Sequence, residues 1–436
     1  MEKEKIIVGL DIGTTKTCAI VGRQNEYGKL EVLGMGKSLS EGVSRGIVTN
    51  IDKTINSIET AINEAENQSG INIKVVNVGI AGQHIRSAVQ HGGITRESSE
   101  DEINIEDINR LTNDMYKIVT PPGSEIIHVM PQDYYVDYEE NIKDPVGMTG
   151  VRLEADFHII TAQTSAINNV NKCVRRAGLE IENLILEPLA SSLSVLSEDE
   201  KEAGVCLVDI GGGTTDIAVF HEGIIRHTAV IPFGGNIITG DIKQGCSVLT
   251  HQAELLKIKF GKAIAEEASP NEIVSIPGLK NRPPREISIK NLANVIEARM
   301  QEIIELVHTE IITSGFEQKL SGGIILTGGG AQLACLKQLV EYMTGLDARI
   351  GYPNEHLGRS KVDAVKSPMF ATTIGLVLSG FRAIDERDNR YMKSQDSPVS
   401  RQVRRDRKGA GMDIFSKIIE KTKGLLIDDV DDKQDY

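Results

Sequence analysis

The chain has 436 residues, enough for two or more domains of ordinary size. Its net charge is −14, from 62 acidic and 48 basic residues, which speaks against coating nucleic acid by bulk electrostatics. Trp is absent and aromatics reach only 4%, so a base-stacking surface is disfavoured, whereas 42 glycines direct attention to backbone that approaches a ligand closely. The five cysteines, Cys18, Cys173, Cys206, Cys246 and Cys335, form no C-x-x-C pair, which fits buried thiols in a reducing compartment. The start, Met1–Lys5, leads into a strand-like run rather than a signal h-region, and no run of about 18 apolar residues is present to span a membrane.

In chain order, Ile6–Ile12 reads as a buried strand entering a tight turn, with returning strands at Thr17–Gly22 and Leu30–Gly34. Ile55–Ala65 has helical spacing and Val75–Ala81 is an apolar strand. Gln83–Asp156 changes character, with an acidic stretch at Glu97–Asp107, a helix at Ile108–Tyr116 and a Pro- and Tyr-rich segment at Pro131–Asp137. It reads as a small α+β insertion. Phe157–Ala162 resumes a core strand, and Ser165–Ala177 and Pro188–Leu196 read as helices.

The opening unit then recurs. Val205–Ile210 is again a strand entering a turn, followed by strands at Ile217–Phe220 and Ile224–Ile231. Matching Asp11-Ile-Gly-Thr-Thr15 to Asp209-Ile-Gly-Gly-Gly-Thr-Thr215 requires a two-residue insertion. The repeat is a duplication at domain scale and predicts two related α/β lobes facing a cleft. Gln252–Gly261 is a charged helix, Ser269–Arg285 is loop-like, and Ile289–Ser314 is a long helix. A strand at Gly323–Thr327 precedes Gly328-Gly329-Gly330 and a helix at Leu333–Thr344, and Pro368–Arg382 is a last core helix.

Gly-rich turns between strands expose consecutive N–H groups that suit phosphate, and Thr14, Thr15, Thr214 and Thr215 add hydroxyls. Asp11 or Asp209 at the strand ends would meet phosphate through Mg²⁺. One such turn alone is most often a plain hairpin; the facing pair carries the reading. Gly328–Gly330 is either tight strand–helix packing or a side-chain-free floor for adenine or ribose. Glu187, next to Pro188, is either an ordinary helix start or a carboxylate that orients water on a terminal phosphate. Glu254 and Lys257 share a helix face, as a surface ion pair or as contacts to ribose and adenine.

From Arg387 to Gly411 the apolar pattern vanishes and a flexible linker is expected; residues 390–411 hold seven basic and two acidic residues, a net +5. At 100° per residue, Ile414, Phe415, Ile418, Ile419, Leu425 and Leu426 share an arc of about 140°, with Lys421 and Lys423 flanking it. Such a helix docks on protein or lies on a membrane. The basic tether favours anionic lipid, at roughly 1 kcal/mol per basic residue near the surface.

The ordered set Asp11-x-Gly-Thr-Thr, Glu187-Pro-Leu-Ala, Asp209-x-Gly-Gly-Gly-Thr-Thr-Asp, Ala253-Glu254-x-x-Lys257 and Thr327-Gly-Gly-Gly-Ala331 resembles the actin, sugar kinase and heat-shock chaperone ATPase superfamily. Ser367–Gly380, with Ala371 and Gly375, is similar to its second connecting helix. Val78–Gly82, Gly46–Asp52, Gln132–Tyr134 and Ile142–Glu154 resemble the FtsA family, bacterial cell-division actin homologues. The resemblance implies a two-lobed α/β actin-like ATPase fold with an inserted α+β subdomain. It places the first core lobe at 1–82, 160–199 and 368–383, the insertion at 83–159, the second lobe at 200–243 and 320–367, its upper subdomain at 244–319, the linker at 384–411 and an amphipathic helix at 412–428.

It also implies ATP and Mg²⁺ held by Asp11 and Asp209, with Glu187 and Asp209 catalytic. Gly13, Thr14, Thr15, Lys16, Gly211, Gly212, Gly213, Thr214, Thr215, Gly234, Gly235, Glu254, Lys257, Gly328, Gly329 and Gly330 are the nucleotide contacts it implies. Activity is expected to be at most weak ATP hydrolysis, in a scaffold that forms filaments or oligomers with itself. Expected partners are the tubulin-like GTPase FtsZ, later division proteins and anionic lipid, but no nucleic acid. The expected place is the cytoplasmic side of the inner membrane at the division site. The alternatives are an actin-like ATPase of a rod-shape or pilus assembly, or a small-molecule kinase.

Overall fold

The computed structural model describes residues 5–98, 100–278, 283–358, 360 and 362–396. Residues 1–380 form one compact unit, and a second unit begins at Phe381. The chain opens with β1 (Ile6–Ile12), β2 (Lys16–Gln24) and β3 (Leu30–Leu39), a small hairpin β4 (Val43–Ser44) and β5 (Ile47–Val48), helix α1 (Ile51–Ser69) and β6 (Val75–Ile80). The insertion comprises β7 (Ile85–Thr95), α2 (Ile105–Met115), β8 (Ser124–Val136), β9 (Glu139–Ile142) and β10 (Arg152–Gln163). Then come α3 (Thr164–Arg176), β11 (Glu180–Leu186), α4 (Glu187–Val195) and α5 (Glu198–Ala203). The second half holds β12 (Val205–Ile210), β13 (Thr215–His221), β14 (Ile224–Ile231), α6 (Gly235–Cys246), α7 (Thr250–Phe260), β15 (Ile273–Ile276), β16 (Arg285–Ser288) and α8 (Ile289–Thr313). It ends with β17 (Ile324–Thr327), α9 (Leu336–Thr344), β18 (Ala348–Ile350) and α10 (Ala371–Asp396).

Each lobe is built on a five-stranded mixed sheet of the same plan, β11-β6-β1-β2-β3 and β14-β13-β12-β17-β18. In both, the first strand pairs antiparallel with the second and parallel with the strand that follows a helical crossover. The nearly unbroken apolar runs of β1 and β12 follow, since each is central in its sheet and covered on both faces.

The register corrects the expected alignment of the repeats. Asp11 pairs with Cys18 and Asp209 with Asp216, so the two turns have equal length and no insertion separates them. Thr14-Thr15 therefore corresponds to Gly212-Gly213, Lys16 to Thr214 and Cys18 to Asp216. Matching letters misled because a strand pair counts residues between ladder partners, whatever their side chains.

The insertion is a four-stranded antiparallel sheet, β7-β10-β8-β9, closed by α2 over a core of Ile94, Leu111, Met115, Tyr134, Leu153 and Phe157. The buried Arg96 holds the acidic stretch: its guanidinium donates to the carbonyls of Asp101, Glu102 and Gly150 and pairs with Asp107. The Pro- and Tyr-rich segment is part of β8, and β10 begins at Arg152, ahead of the Phe157 start expected.

Other departures are local. The expected loop at Ser269–Arg285 contains the paired strands β15 and β16. Helix α9 starts at Leu336, not Leu333, because Cys335 takes a left-handed conformation, φ 64°. Helix α10 passes the expected end at Arg382 and runs to Asp396, into the segment read as linker. Residues 383–396 hold no Gly or Pro, so loss of apolar pattern there did not mean loss of helix. The rest of the linker and the segment 412–428, with Ile414, Phe415, Ile418, Ile419, Lys421, Lys423, Leu425 and Leu426, lie outside the described residues.

Helices α4 and α10 touch backbone to backbone. A Cβ added at Gly375 would stand 1.8 Å from the Ala190 carbonyl oxygen, so only glycine permits this crossing.

The insertion meets both lobes through imidazoles. His158 Nε2 lies 2.9 Å from Thr228 Oγ1, and the Leu186 N–H donates to His128 Nε2 at 3.0 Å. Burial pushes both imidazoles down to about 4, with His227 adding to the effect at His158. Unfolded, each would titrate near 6.5. Their contribution is thus full above pH 6.5 and is lost as pH falls toward 4. Thermal scans should show stability falling from pH 7 to pH 5 by on the order of 1 kcal/mol per histidine. His158→Gln, which keeps a hydrogen-bonding group but cannot charge, should flatten that slope.

Candidate functional site

The ends of β1 and β12 deliver Asp11 and Asp209 to a single cleft of about 430 Å³ between the two sheets. The first turn is closed by Gly13 N–H donating to Lys16 O at 3.0 Å, the second by Gly211 N–H donating to Thr214 O at 2.9 Å. The two turns abut. A Cβ on Gly212 would lie 2.3 Å from Thr15 Cγ2, and one on Gly213 would lie 2.5 Å from Thr14 Oγ1. The Gly-Gly pair of one turn makes room for the Thr-Thr pair of the other.

Of the residues expected at the site, the cleft is lined by Asp11, Gly13, Thr14, Thr15, Lys16, Glu187, Asp209, Gly211, Gly212, Gly213, Thr214, Glu254, Gly328 and Gly329. Thr215, Gly234, Gly235, Lys257 and Gly330 are placed behind this wall. Thr215 Oγ1 is spent on the Phe233 carbonyl. The first N–H groups of α6, at Gly235 and Asn236, donate to the carbonyls of Gly211 and Gly212, so that helix end holds the second turn in place. Lys257 Nζ bonds Gly235 O at 2.8 Å, Thr239 Oγ1 at 2.9 Å and Glu254 Oε2 at 2.8 Å, joining α6 to α7. Gly330 packs on Ile210.

The cleft also takes in residues that sequence reading passed over: Lys37, Ser38 and Leu39 at the end of β3, Asp216 on β13, and Thr372 on α10. Asp216 stood inside the quoted motif, and the equal turn lengths would have placed it beside Asp209. Nothing in the sequence marks Lys37, which reaches the cleft because β3 pairs with β2 across from Cys18.

Charge is unevenly distributed. Five carboxylates line the cleft against two ammonium groups. Lys16 Nζ is bound to Asp11 Oδ2 at 2.6 Å; burial opposes its charge, yet the nearby Asp11 and Glu187 hold its affinity for the proton above the usual range. Burial and the charges of Asp11, Asp216 and Asp209 push Glu187 well above the usual carboxylate range. Burial, then Asp209, pushes Asp216 up to about 8. Burial also raises Asp209, against two hydroxyl hydrogen bonds.

Asp216 Oδ1 has no hydrogen-bond partner, while Oδ2 accepts from Thr214 Oγ1 at 2.9 Å. An orphaned oxygen among crowded hard donors fits a divalent cation. Among the described residues no three His, Cys, Asp or Glu side chains converge as a metal cage. Mg²⁺ is a divalent cation that takes one or two carboxylates and fills its shell with waters and phosphate oxygens.

Among known proteins, the family model described as "Cell division protein FtsA" matches residues 206–375, and that described as "SHS2 domain inserted in FTSA" matches residues 82–161. The cell division protein FtsA of Pseudomonas aeruginosa is 44% identical over 382 residues, covering 88% of this chain and 91% of the relative. That of Borreliella burgdorferi is 40% identical over 427 residues, covering 97% and 98%. That of Escherichia coli K12 is 37% identical over 383 residues, covering 86% and 90%. Among solved structures, a chain of the PilM–PilN type IV pilus biogenesis complex superposes with a TM-score of 0.64 at 15% identity, covering 86% of this chain and 98% of its own. MreB 5 of Spiroplasma citri bound to AMPPNP superposes at 0.50 and 14%, covering 90% and 99%. At such identities these two establish the fold alone, a two-lobed actin-like fold.

Gly329 lines the cleft with ordinary helical dihedrals, and a Cβ there meets no protein atom within 4 Å. Gly329→Leu should therefore leave the melting temperature almost unchanged while weakening ADP binding about tenfold or more, about 1.4 kcal/mol, measured by calorimetric titration.

Proposed function

We propose a function for this chain from one premise: it belongs to the FtsA family of cell division proteins. The proposed function is that of an ATP-binding, actin-like scaffold of bacterial division. It would polymerise in a nucleotide-dependent way and tether the FtsZ ring to the cytoplasmic face of the membrane. The observation that carries the nucleotide part is the meeting of two Gly/Thr turns, one from each lobe, over buried carboxylates.

The proposed roles follow from the chemistry of each side chain. Backbone N–H groups of the two turns, with Thr14, Thr15 and Thr214, would bind phosphate oxygens. Asp11 and Asp209 would hold Mg²⁺, which when bound supplies positive charge against both phosphate and the crowded carboxylates. Lys16 is tied to Asp11, so its charge serves the carboxylates first and a phosphate second. Glu187 faces the cleft at the start of α4 and would orient a water on the terminal phosphate. Burial and the charges of Asp11, Asp216 and Asp209 raise its affinity for the proton, and the positive charge of a bound cation would act against that rise.

Membrane attachment is proposed for the segment 412–428, from its apolar arc and the basic run that precedes it. No helix among the described residues is long and apolar enough to cross a membrane. The proposed partners are FtsZ, further copies of this chain, other division proteins and anionic lipid.

Asp209→Ala should remove nucleotide-dependent assembly while the fold persists; ATP-dependent filaments seen by electron microscopy at the parent's level would refute the role. Deleting residues 412–436 should keep ADP binding within about twofold and abolish sedimentation with vesicles containing phosphatidylglycerol. Unchanged pelleting would sink the anchor.

A further inference from the structure

The crossing of α4 and α10 at Ala190 and Gly375 brings two hydroxyls onto one carboxylate oxygen. Ser191 Oγ donates to Asp209 Oδ2 at 2.7 Å. Thr372 Oγ1 lies 3.2 Å from the same oxygen and 3.1 Å from Ser191 Oγ, so it donates into this pair. The next residue, Thr373, places Oγ1 3.4 Å from Asp11 Oδ2, on the carboxylate of the other lobe. All three side chains are buried. A fourth hydroxyl, Ser194 Oγ, donates to Ala371 O at 2.8 Å and fastens the two helices next to the contact.

The consequence lies in what is left over. With Oδ2 engaged, the other oxygen of Asp209, Oδ1, lies beside Gly328 in the cleft wall, so close that a Cβ at Gly328 would stand 2.3 Å from it. A carboxylate held through one oxygen cannot swing, and it presents the second in a fixed direction. An unheld aspartate would spend rotamer entropy each time a cation bound.

We infer that Ser191 and Thr372 are positioning residues, a hydroxyl clasp carried by two crossing helices that sets Asp209 for a divalent cation. Thr373 does the same, over a longer contact, for Asp11. The inference rests on the reading of the cleft as a site for nucleotide and divalent cation. It adds that cation affinity depends on the packing of α4 against the first turn of α10. Ser191 is not part of the cleft lining, so loss of its hydroxyl should leave metal-free nucleotide binding alone.

The test uses the full chain saturated with ADP, titrated with MgCl₂ in a calorimeter, alongside ADP titrations in EDTA. Ser191→Ala removes the shorter of the two hydrogen bonds to Asp209 at a side chain outside the cleft lining. Its Mg²⁺ affinity should fall about tenfold, with ADP affinity in EDTA within about twofold of the parent. Thr372→Ser, which keeps the hydroxyl, should bind Mg²⁺ as the parent does. Should Ser191→Ala fail to fold, Thr372→Val is judged by its Mg²⁺ titration against that of Thr372→Ser. Unchanged Mg²⁺ affinity, or a parallel loss of Mg²⁺ and metal-free ADP binding, would overturn the clasp. Asp209→Asn separates the two levels: if it too leaves Mg²⁺ affinity unchanged, the reading of the cleft fails, and the clasp with it.

Discussion

Four carboxyl groups, Asp11, Glu187, Asp209 and Asp216, gather in one cleft with only Lys16 tied among them, and the rest of the structure accommodates that crowding. Charges taken out of water are costly unless paired and hydrogen-bonded. Here the pairing is incomplete: one oxygen of Asp216 has no partner, and burial with the charges of Asp11, Asp216 and Asp209 pushes Glu187 well above the usual carboxylate range. Such an arrangement is unfavourable by itself and becomes favourable when positive charge arrives. A site of this kind is organised for a ligand that brings a cation with it.

The backbone around the carboxylates has one shape in each lobe. Each central strand carries an aspartate one residue before its end, turns through four residues, and returns antiparallel. The lobes are related but not interchangeable. One turn presents Thr14-Thr15 and Lys16 where the other presents Gly212-Gly213 and Thr214, and the small turn receives the large one. Two threonine turns could not approach this closely, and two glycine turns would leave a gap. The asymmetry is what lets one duplicated unit form both sides of a cleft.

Connections between the lobes are equally specific. At Gly375 and Ala190 the helices meet without side chains between them, and this proximity carries Ser191, Thr372 and Thr373 to the carboxylates. The inserted subdomain is anchored separately, by His158 on Thr228, His128 on Leu186, Gln132 on the Ile225 carbonyl and the Asp133–Arg226 ion pair. Its contacts lie on different strands from those that carry the two Gly/Thr turns.

What the sequence by itself determined was the kind of protein and the turns that meet at its cleft. Nearly unbroken apolar runs leading into Asp-x-Gly, repeated across the chain, specify two α/β lobes with turns at their strand ends, because local geometry follows from local pattern. The excess of glycine led to the cleft wall. The tertiary structure alone decided which residues share that site. Strand register, not letter identity, set Asp216 beside Asp209 and removed the presumed insertion. Helix crossing, not motif, put Ser191 and Thr372 on Asp209. Packing turned Lys257 and Gly235 away from the cleft. Those contacts join residues far apart in the chain, and a pattern read along one strand or helix holds no information about which distant element will lie against it.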